Sequence, residues 1–287
     1  MSESTLTLDA YGTFETAWCP GCGNFGILTA LKQALLTTGL APQHVLFVSG
    51  IGQAAKTPQY LNANLFNGLH GRALPVATGA RLANPTLKVI VESGDGCMYG
   101  EGGNHFLAAI RRNLNVTVLV HDNQVYALTK GQASPTSPTG FISKTQPQGV
   151  QSAAFNPVAF AVAMRASFVA RSFSGLNDHL VGVLQRAIRH EGFALVDILQ
   201  PCVSFNKANT FKWYKDRCAP LPNDYDPHDW HKALDTSLIW GDQIPIGVLF
   251  ESETPTYESR FPVCGKGALC TRPVDLEALK RIMMAYA

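Results

Sequence analysis

The chain has 287 residues, 46% of them apolar and only 15% charged, with a formal net charge of +2. A chain so nearly neutral has no basic stripe to neutralise phosphates, which excludes nucleic acid as its main ligand. No stretch approaches the roughly 20 apolar residues needed to cross a bilayer, and Met1 to Tyr11 is polar and acidic, without the apolar core of a signal peptide, so a cytoplasmic location is expected. From Asn24 to Leu36 apolar residues recur every three or four positions, predicting a helix that Gly39 and Pro42 stop. Val45 to Val48 is a short apolar run opening into the glycine loop Gly50-Ile51-Gly52-Gln53, and Leu87 to Glu92 repeats the pattern before Gly94-Asp95-Gly96. A helix over His105 to Arg112 and a β-branched strand over Val116 to Val120 follow, the strand ending at Asp122-Asn123. Gln124 to Gln151 has no sustained period and reads as a long loop, which inside a compact domain is more often functional than idle.

Beyond the loop come a helix (Pro157 to Arg165), a strand (Phe168 to Arg171), a helix (Asp178 to Glu191) and a strand (Ala194 to Leu199). Strands apolar along their whole length and alternating with helices predict an α/β fold, a parallel sheet with helices on both faces. Ligands of such sheets bind at the carboxyl ends of the strands, where the loops with Gly, Asp and Asn should converge. After Gln200 the chain turns rich in aromatics and proline before a last strand (Pro245 to Glu251) and a helix (Leu276 to Ala285). The reading is a domain over 1–200 and an extension over 201–287 that packs on the core or on a partner.

The chemistry concentrates at Gly94-Asp95-Gly96 and at Asn123, 28 residues after Asp95. A hard divalent cation such as Mg2+ takes oxygen ligands and shares them with phosphates. A carboxylate at one strand end, an amide at the next and a nearby backbone carbonyl can supply them, and glycines let the backbone approach a phosphate. The tripeptide alone is also an ordinary turn. The longer pattern is not: with Gly102-Gly103-Asn104-His105, Asp122-Asn123-Gln124-Val125-Tyr126, Leu128-Thr129-Lys130-Gly131-Gln132 and Ser134-Pro135-Thr136, it resembles the β subunits of 2-oxoacid:ferredoxin oxidoreductases. Cys19-Pro20-Gly21-Cys22-Gly23 and Leu69-His70-Gly71-Arg72-Ala73 are similar to further segments of that family, and the likeness spans roughly residues 15 to 285.

The resemblance implies a thiamine diphosphate-binding fold of the diphosphate type. Asp95, Asn123 and the carbonyl of Val125 would ligate Mg2+. Gly50, Ile51, Gly52, Gln53, His70, Gly71, Gly94, Gly96, Tyr126, Leu128 and Thr129 would line the cofactor, and His70, Lys56 and Lys130 are the candidate catalytic residues. The implied reaction is oxidative decarboxylation of a 2-oxoacid to an acyl-CoA, with electrons leaving through an iron–sulfur cluster to ferredoxin. Two basic side chains at the ligand edge favour the dicarboxylate 2-oxoglutarate over pyruvate. One diphosphate-type unit is half of such a site, so an α subunit with the pyrimidine domain is the expected partner.

Seven cysteines, an odd count, do not suit a disulfide framework. The family holds a [4Fe–4S] cluster with four, and Cys19, Cys22 and Cys202 match three of these. The remaining position carries Gln53, and an amide oxygen is a poor iron ligand beside thiolate. Three outcomes stay open: a four-iron cluster with an unusual fourth ligand, a three-iron cluster, or no cluster. Cys97, directly after Gly94-Asp95-Gly96, is one candidate substitute; Cys218, Cys264 or Cys270 would have to fold back. Two rival readings are a non-redox thiamine diphosphate decarboxylase or synthase subunit and a zinc-binding, non-catalytic partner subunit.

Overall fold

The structure, a computed structural model, describes residues 6–286. Its first helix is α1 (Asn24–Thr37), which leads to strand β1 (Val45–Ser49) and the exposed edge strand β2 (Asn64–Asn67). Helix α2 (Ala73–Ala83) and strand β3 (Lys88–Gly94) follow, and a π-helical turn at Gly96–Glu101 runs into α3 (Gly103–Arg112). Asn113 ends α3 in the left-handed conformation, φ 52°, behind Arg111 and Arg112, whose charges suit a helix C-terminus. Strand β4 (Val116–Asp122) then delivers the long loop, which holds a small antiparallel hairpin, β5 (Val125–Tyr126) with β6 (Gln132–Ala133).

Asn156 opens α4 (Pro157–Ala163): its side chain accepts the Ala159 N–H, and Pro157 takes the first helical position, where no N–H is needed. Strand β7 (Phe168–Phe173), helix α5 (Asn177–Arg189) and strand β8 (Phe193–Leu199) complete the alternation. The last third adds α6 (Phe211–Lys215), β9 (Cys218–Pro220), α7 (Trp230–Leu238), β10 (Ile244–Glu251) and α8 (Leu276–Ala285).

The described residues form an eight-stranded sheet in the order β2-β1-β3-β4-β8-β7-β10-β9. Its pairings are parallel except that of β10 with β7. Every residue of β4 and β8 is buried, which is why these strands read as largely apolar runs despite Thr117, His121, Asp122 and Asp197. The two-residue period sorts the side chains. Phe47, Ile90, Leu119 and Val196 face α1 and α5, packing with Ile27, Leu31, Leu35, Leu180 and Leu184. Val48, Val91, Val118 and Leu195 face α2, α3 and α4, packing with Leu74, Phe106, Ile110, Val158 and Val162. Each such side chain contributes roughly 1.5–3 kcal/mol by leaving water, so a central strand covered on both faces is where the fold is hardest to open.

The segment after Leu199 builds its own small core, in which Tyr214, Ile244 and Ile246 pack with Phe173 and Leu199, and β10 joins the main sheet. The carboxyl ends of β1, β3, β4 and β8 therefore stand side by side, and their loops share one edge. Among the described residues no helix is long and apolar enough to cross a membrane, and all seven cysteines are unpaired thiols.

Candidate active site

At that edge a narrow cleft is lined by Ile51, Gly52, Gln53 and Ala54 from the loop after β1, by His70, and by Gly94 to Cys97 after β3. Asn123 and the run from Val125 to Thr129 close the far side. Of the residues expected at a cofactor, only Gly50 and Gly71 stand behind the wall. A Cβ on Gly50 would lie 2.5 Å from the Cys97 sulfur. Gly71, at φ +66°, donates its N–H to the same sulfur at 3.1 Å. Lys56 and Lys130 are not part of the lining. They follow closely on its members Ala54 and Thr129, Lys56 in the 3-10 turn Ala54–Tyr60 and Lys130 exposed at φ +83°.

Asp95 is 1% exposed, and its Oδ2 accepts two hydroxyls, from Ser134 and, at 2.6 Å, from Thr136. The Thr136 hydroxyl also lies 2.8 Å from Oδ1 of Asp122. One hydroxyl hydrogen cannot serve two carboxylates, so this arrangement fits one of them being protonated. Burial, with the charges of Asp197 and Asp95 nearby, pushes Asp122 well above the usual carboxylate range. Burial raises Asp95 as well, opposed by the two hydroxyls and the local backbone N–H groups. An orphaned cluster of buried acids is costly, and a cation would relieve it.

The side-chain oxygen of Asn123 accepts the Val125 N–H at 3.0 Å, bending the chain after β4 back across the Asp95 loop. Carboxylate, amide and backbone carbonyl are a hard-oxygen set that fits Mg2+. Gly96 must be glycine here, because a Cβ would sit 2.4 Å from the Tyr126 ring. Gly52, at φ +128°, has no heavy atom of the described residues within 4 Å of its Cβ position, so the backbone lies bare at the mouth.

Known proteins are similar to this chain in sequence and fold. Residues 42–198 match the family described as thiamine pyrophosphate enzyme, C-terminal TPP binding domain. Residues 202–266 match a second family, described as the C terminal of the pyruvate ferredoxin oxidoreductase beta subunit. The subunit beta of 2-oxoacid:ferredoxin oxidoreductase 1 from Aeropyrum pernix is 45% identical over 276 residues, 92% of this chain and 87% of that protein. This chain belongs to the 2-oxoacid:ferredoxin oxidoreductase β subunits. The 2-oxoglutarate oxidoreductase subunit KorB of Mycobacterium tuberculosis is 45% identical over 192 residues, 67% of this chain and 52% of that one. A solved 2-oxoglutarate:ferredoxin oxidoreductase from Magnetococcus marinus, with 2-oxoglutarate, coenzyme A and succinyl-CoA bound, superposes with a TM-score of 0.90. Its sequence identity is 34%, covering 98% of this chain and 96% of that one.

In this β subunit the turn before α1 and the loop after β8 come together. The Gly23 N–H donates to the Pro201 carbonyl, the Gln200 amide approaches the Cys22 sulfur at 3.4 Å, and the Ser204 hydroxyl approaches that of Cys19 at 3.1 Å. Burial pushes the Cys22 thiol up to about 11; the Asn24 N–H opposes the shift, while Cys202 and Cys19 add to it. Among the described residues no three His, Cys, Asp or Glu side chains close on a single-ion point. The Gln53 backbone carbonyl accepts the indole N–H of Trp18, the neighbour of Cys19, at 2.9 Å, and among the described residues its buried Oε1 has no partner. Cys97 belongs to the cofactor cleft instead, engaged by the N–H groups of Ile51 and Gly71. Cys218 sits near Arg171, and Cys264 lies in the tail beyond β10.

Sequence reasoning missed the Ser134 and Thr136 hydroxyls as partners of Asp95, although the Ser-Pro-Thr segment carried part of the resemblance. It also missed a fully buried polar line. Glu92 on β3 lies 3.5 Å from His121 on β4, and the other ring nitrogen of His121 lies 2.9 Å from Oδ1 of Asn24. Burial raises the Glu92 carboxyl, with His121 opposing the shift. A charged residue inside a strand pattern was the available signal.

Proposed function

We propose that the chain is the thiamine diphosphate-binding subunit of a CoA-acylating 2-oxoacid:ferredoxin oxidoreductase that prefers 2-oxoglutarate to pyruvate. The observation that carries the reading is the oxygen set at adjacent strand ends, Asp95, Asn123 and the Val125 carbonyl, beside the glycine-lined cleft. These three would hold Mg2+, and Gly52, Gly94 and Gly96 would give the diphosphate backbone to rest against. Thiamine diphosphate, when bound, supplies the carbanion-stabilising centre at which a 2-oxoacid loses CO2. His70 faces the cleft and is the group of this chain placed to hold or move a proton there. Lys56 and Lys130, each close to a lining segment, would meet substrate carboxylates at the mouth. A 2-oxoacid with two carboxylates has use for both, in keeping with the 2-oxoglutarate bound in the Magnetococcus relative.

Cys19, Cys22 and Cys202 would hold an iron–sulfur cluster that passes electrons to ferredoxin, with Gln53 at the corner lacking a thiolate. An α subunit bearing the pyrimidine domain would close the cleft. Leu69 beside His70 is 71% exposed and Leu128 in the lining 38%, an apolar rim suited to such cover. Unpaired thiols throughout are in keeping with a cytoplasmic location. Gln53 favours one alternative, a thiamine diphosphate subunit without the cluster.

The test is co-purification with the α subunit and assay of CoA- and 2-oxoglutarate-dependent viologen reduction. The β chain alone should be inactive and the pair active. Release of CO2 without dye reduction would favour the non-redox alternative. Absence of Mg2+-dependent thiamine diphosphate binding would overturn both.

A further inference from the structure

The loop after the hairpin of β5 and β6 carries hydroxyls at Ser134, Thr136 and Ser137, all of them buried. The turn is held before any ligand arrives. The Ser134 N–H donates to the Ser137 hydroxyl at 2.8 Å, that hydroxyl donates to the Gln124 carbonyl, and the Pro135 carbonyl accepts the Phe155 N–H at 2.8 Å. Two hydroxyls are thereby aimed at one atom, Oδ2 of Asp95. Ser134 has other oxygens within reach, Thr136 at 3.2 Å and Ser137 at 3.4 Å, but the carboxylate contact is much the shortest, so its single hydrogen points there. Among the described residues no side chain donates to Oδ1 of Asp95; beyond the two hydroxyls the carboxylate meets the backbone N–H groups of its own turn, and the residue lines the cleft.

We propose that Ser134 and Thr136 are positioning residues of the cation site, holding Asp95 by one oxygen so that it meets the cation with the other. The inference rests on the assignment of Asp95 as a ligand. A carboxylate tied in this way is monodentate and rigid. Mg2+ demands near-ideal octahedral geometry and uses single carboxylate oxygens, whereas Ca2+ accepts two from one carboxylate and tolerates irregular shells. The two hydroxyls therefore select for the smaller ion as well as strengthening its binding. Partners of this kind, one step behind a ligand, typically change metal affinity about 10- to 100-fold when removed. Thr136 also ties the same carboxylate to Asp122 at the end of β4, so the ligand from β3 is fixed against the strand that carries Asn123.

The experiment uses the complex with its α subunit, stripped of divalent cation, and titrates Mg2+ or Ca2+ at fixed thiamine diphosphate while following tryptophan fluorescence. The variants are Ser134→Ala, Thr136→Val, Thr136→Ser and, as a control in the same loop, Thr139→Val, whose hydroxyl reaches only the Ser152 carbonyl. Ser134→Ala and Thr136→Val should weaken Mg2+ by at least about tenfold and Ca2+ by less, narrowing the preference. Thr136→Ser and Thr139→Val should keep wild-type affinity and preference. Wild-type Mg2+ affinity in the folded Ser134→Ala and Thr136→Val proteins would overturn the inference, as would equal losses for both ions, the mark of a merely structural turn. Should Thr136→Val fail to fold, Ser134→Ala decides alone, since it removes one oxygen and no bulk. Wild-type complex that binds thiamine diphosphate without any divalent cation would overturn the cofactor reading, and this inference with it.

Discussion

Gly71→Ala should be among the most damaging single-methyl additions to this chain. Gly71 has φ +66°, where an L-residue costs roughly 1–2 kcal/mol. Its new Cβ would lie 2.3 Å from the carbonyl carbon of Glu101, 2.4 Å from its oxygen and 2.5 Å from the nitrogen of Gly102. These are backbone atoms at the start of α3, so no side chain can swing aside, and overpacking of this kind costs about 1–3 kcal/mol. The sum is about 2–5 kcal/mol, a large share of a typical domain's stability. The chain can relieve the clash only by drawing the loop away from the 101–102 backbone, which takes His70 out of the cleft and breaks the Gly71 N–H contact with Cys97. Urea unfolding should show a lower midpoint at unchanged slope, and cofactor titration of the folded fraction should show at least about tenfold weaker binding, about 1.4 kcal/mol. Gly182→Ala, in α5 with open space around its Cβ position, should instead stabilise by about 0.5–1 kcal/mol. A Gly71→Ala protein with wild-type midpoint and wild-type cofactor affinity would refute this reasoning.

Asp95→Ala should abolish Mg2+-dependent thiamine diphosphate binding, measured by equilibrium dialysis; unchanged affinity in a folded variant would remove Asp95 from the site. Burial raises the Asp197 carboxyl from 3.8 to about 6, so the folded chain keeps a proton that the unfolded chain has released. Stability from this group therefore falls as pH rises from about 4 to about 6, by roughly 3 kcal/mol, and urea midpoints of the cation-free chain should decline over that window. Asp197→Asn, which can still accept the Tyr99 hydroxyl, should flatten the decline. Gln53→Cys should make any bound cluster more resistant to oxygen, read by electron paramagnetic resonance before and after oxidation. Native protein with neither cluster signal nor bound iron would decide for the non-redox alternative.

The sheet was legible because its strands are buried on both faces and so carry largely apolar runs; β1, β3, β4, β7, β8 and β10 all fall where those runs lie. Helix α2 was not foreseen. Pro75 and Gly79 interrupt its pattern, and Pro75 is tolerated only because it lies in the first turn, where its missing N–H costs nothing. The edge strand β2 is exposed at all four positions, so burial leaves no mark on its sequence. At the site, the cleft assembles the glycines, Asp95, Asn123 and His70 because they sit at strand ends, which sequence order already places. The Ser134 and Thr136 contacts depend on how a long excursion after β4 folds back, and no periodicity encodes that. Lys56 and Lys130 fall just outside the lining for a related reason: adjacency in sequence put them near the cleft, but a turn and a positive φ direct the backbone past it.

Strand β10 runs against its neighbour β7, and that reversal decides where the rest of the chain emerges. A parallel strand would have ended at the cofactor edge and sent the tail across the cleft. Instead Glu251 finishes at the opposite rim, where Ser252 donates to the Ser167 carbonyl, Tyr257 to that of Asn113, and Glu258 pairs with Arg81 at 2.6 Å. The two rims are thus insulated from each other by the full height of the sheet. Cys270, exposed in that tail, offers a handle for a dye or a surface linker. A label placed there leaves the lining of the cleft, in which Cys270 has no part, untouched.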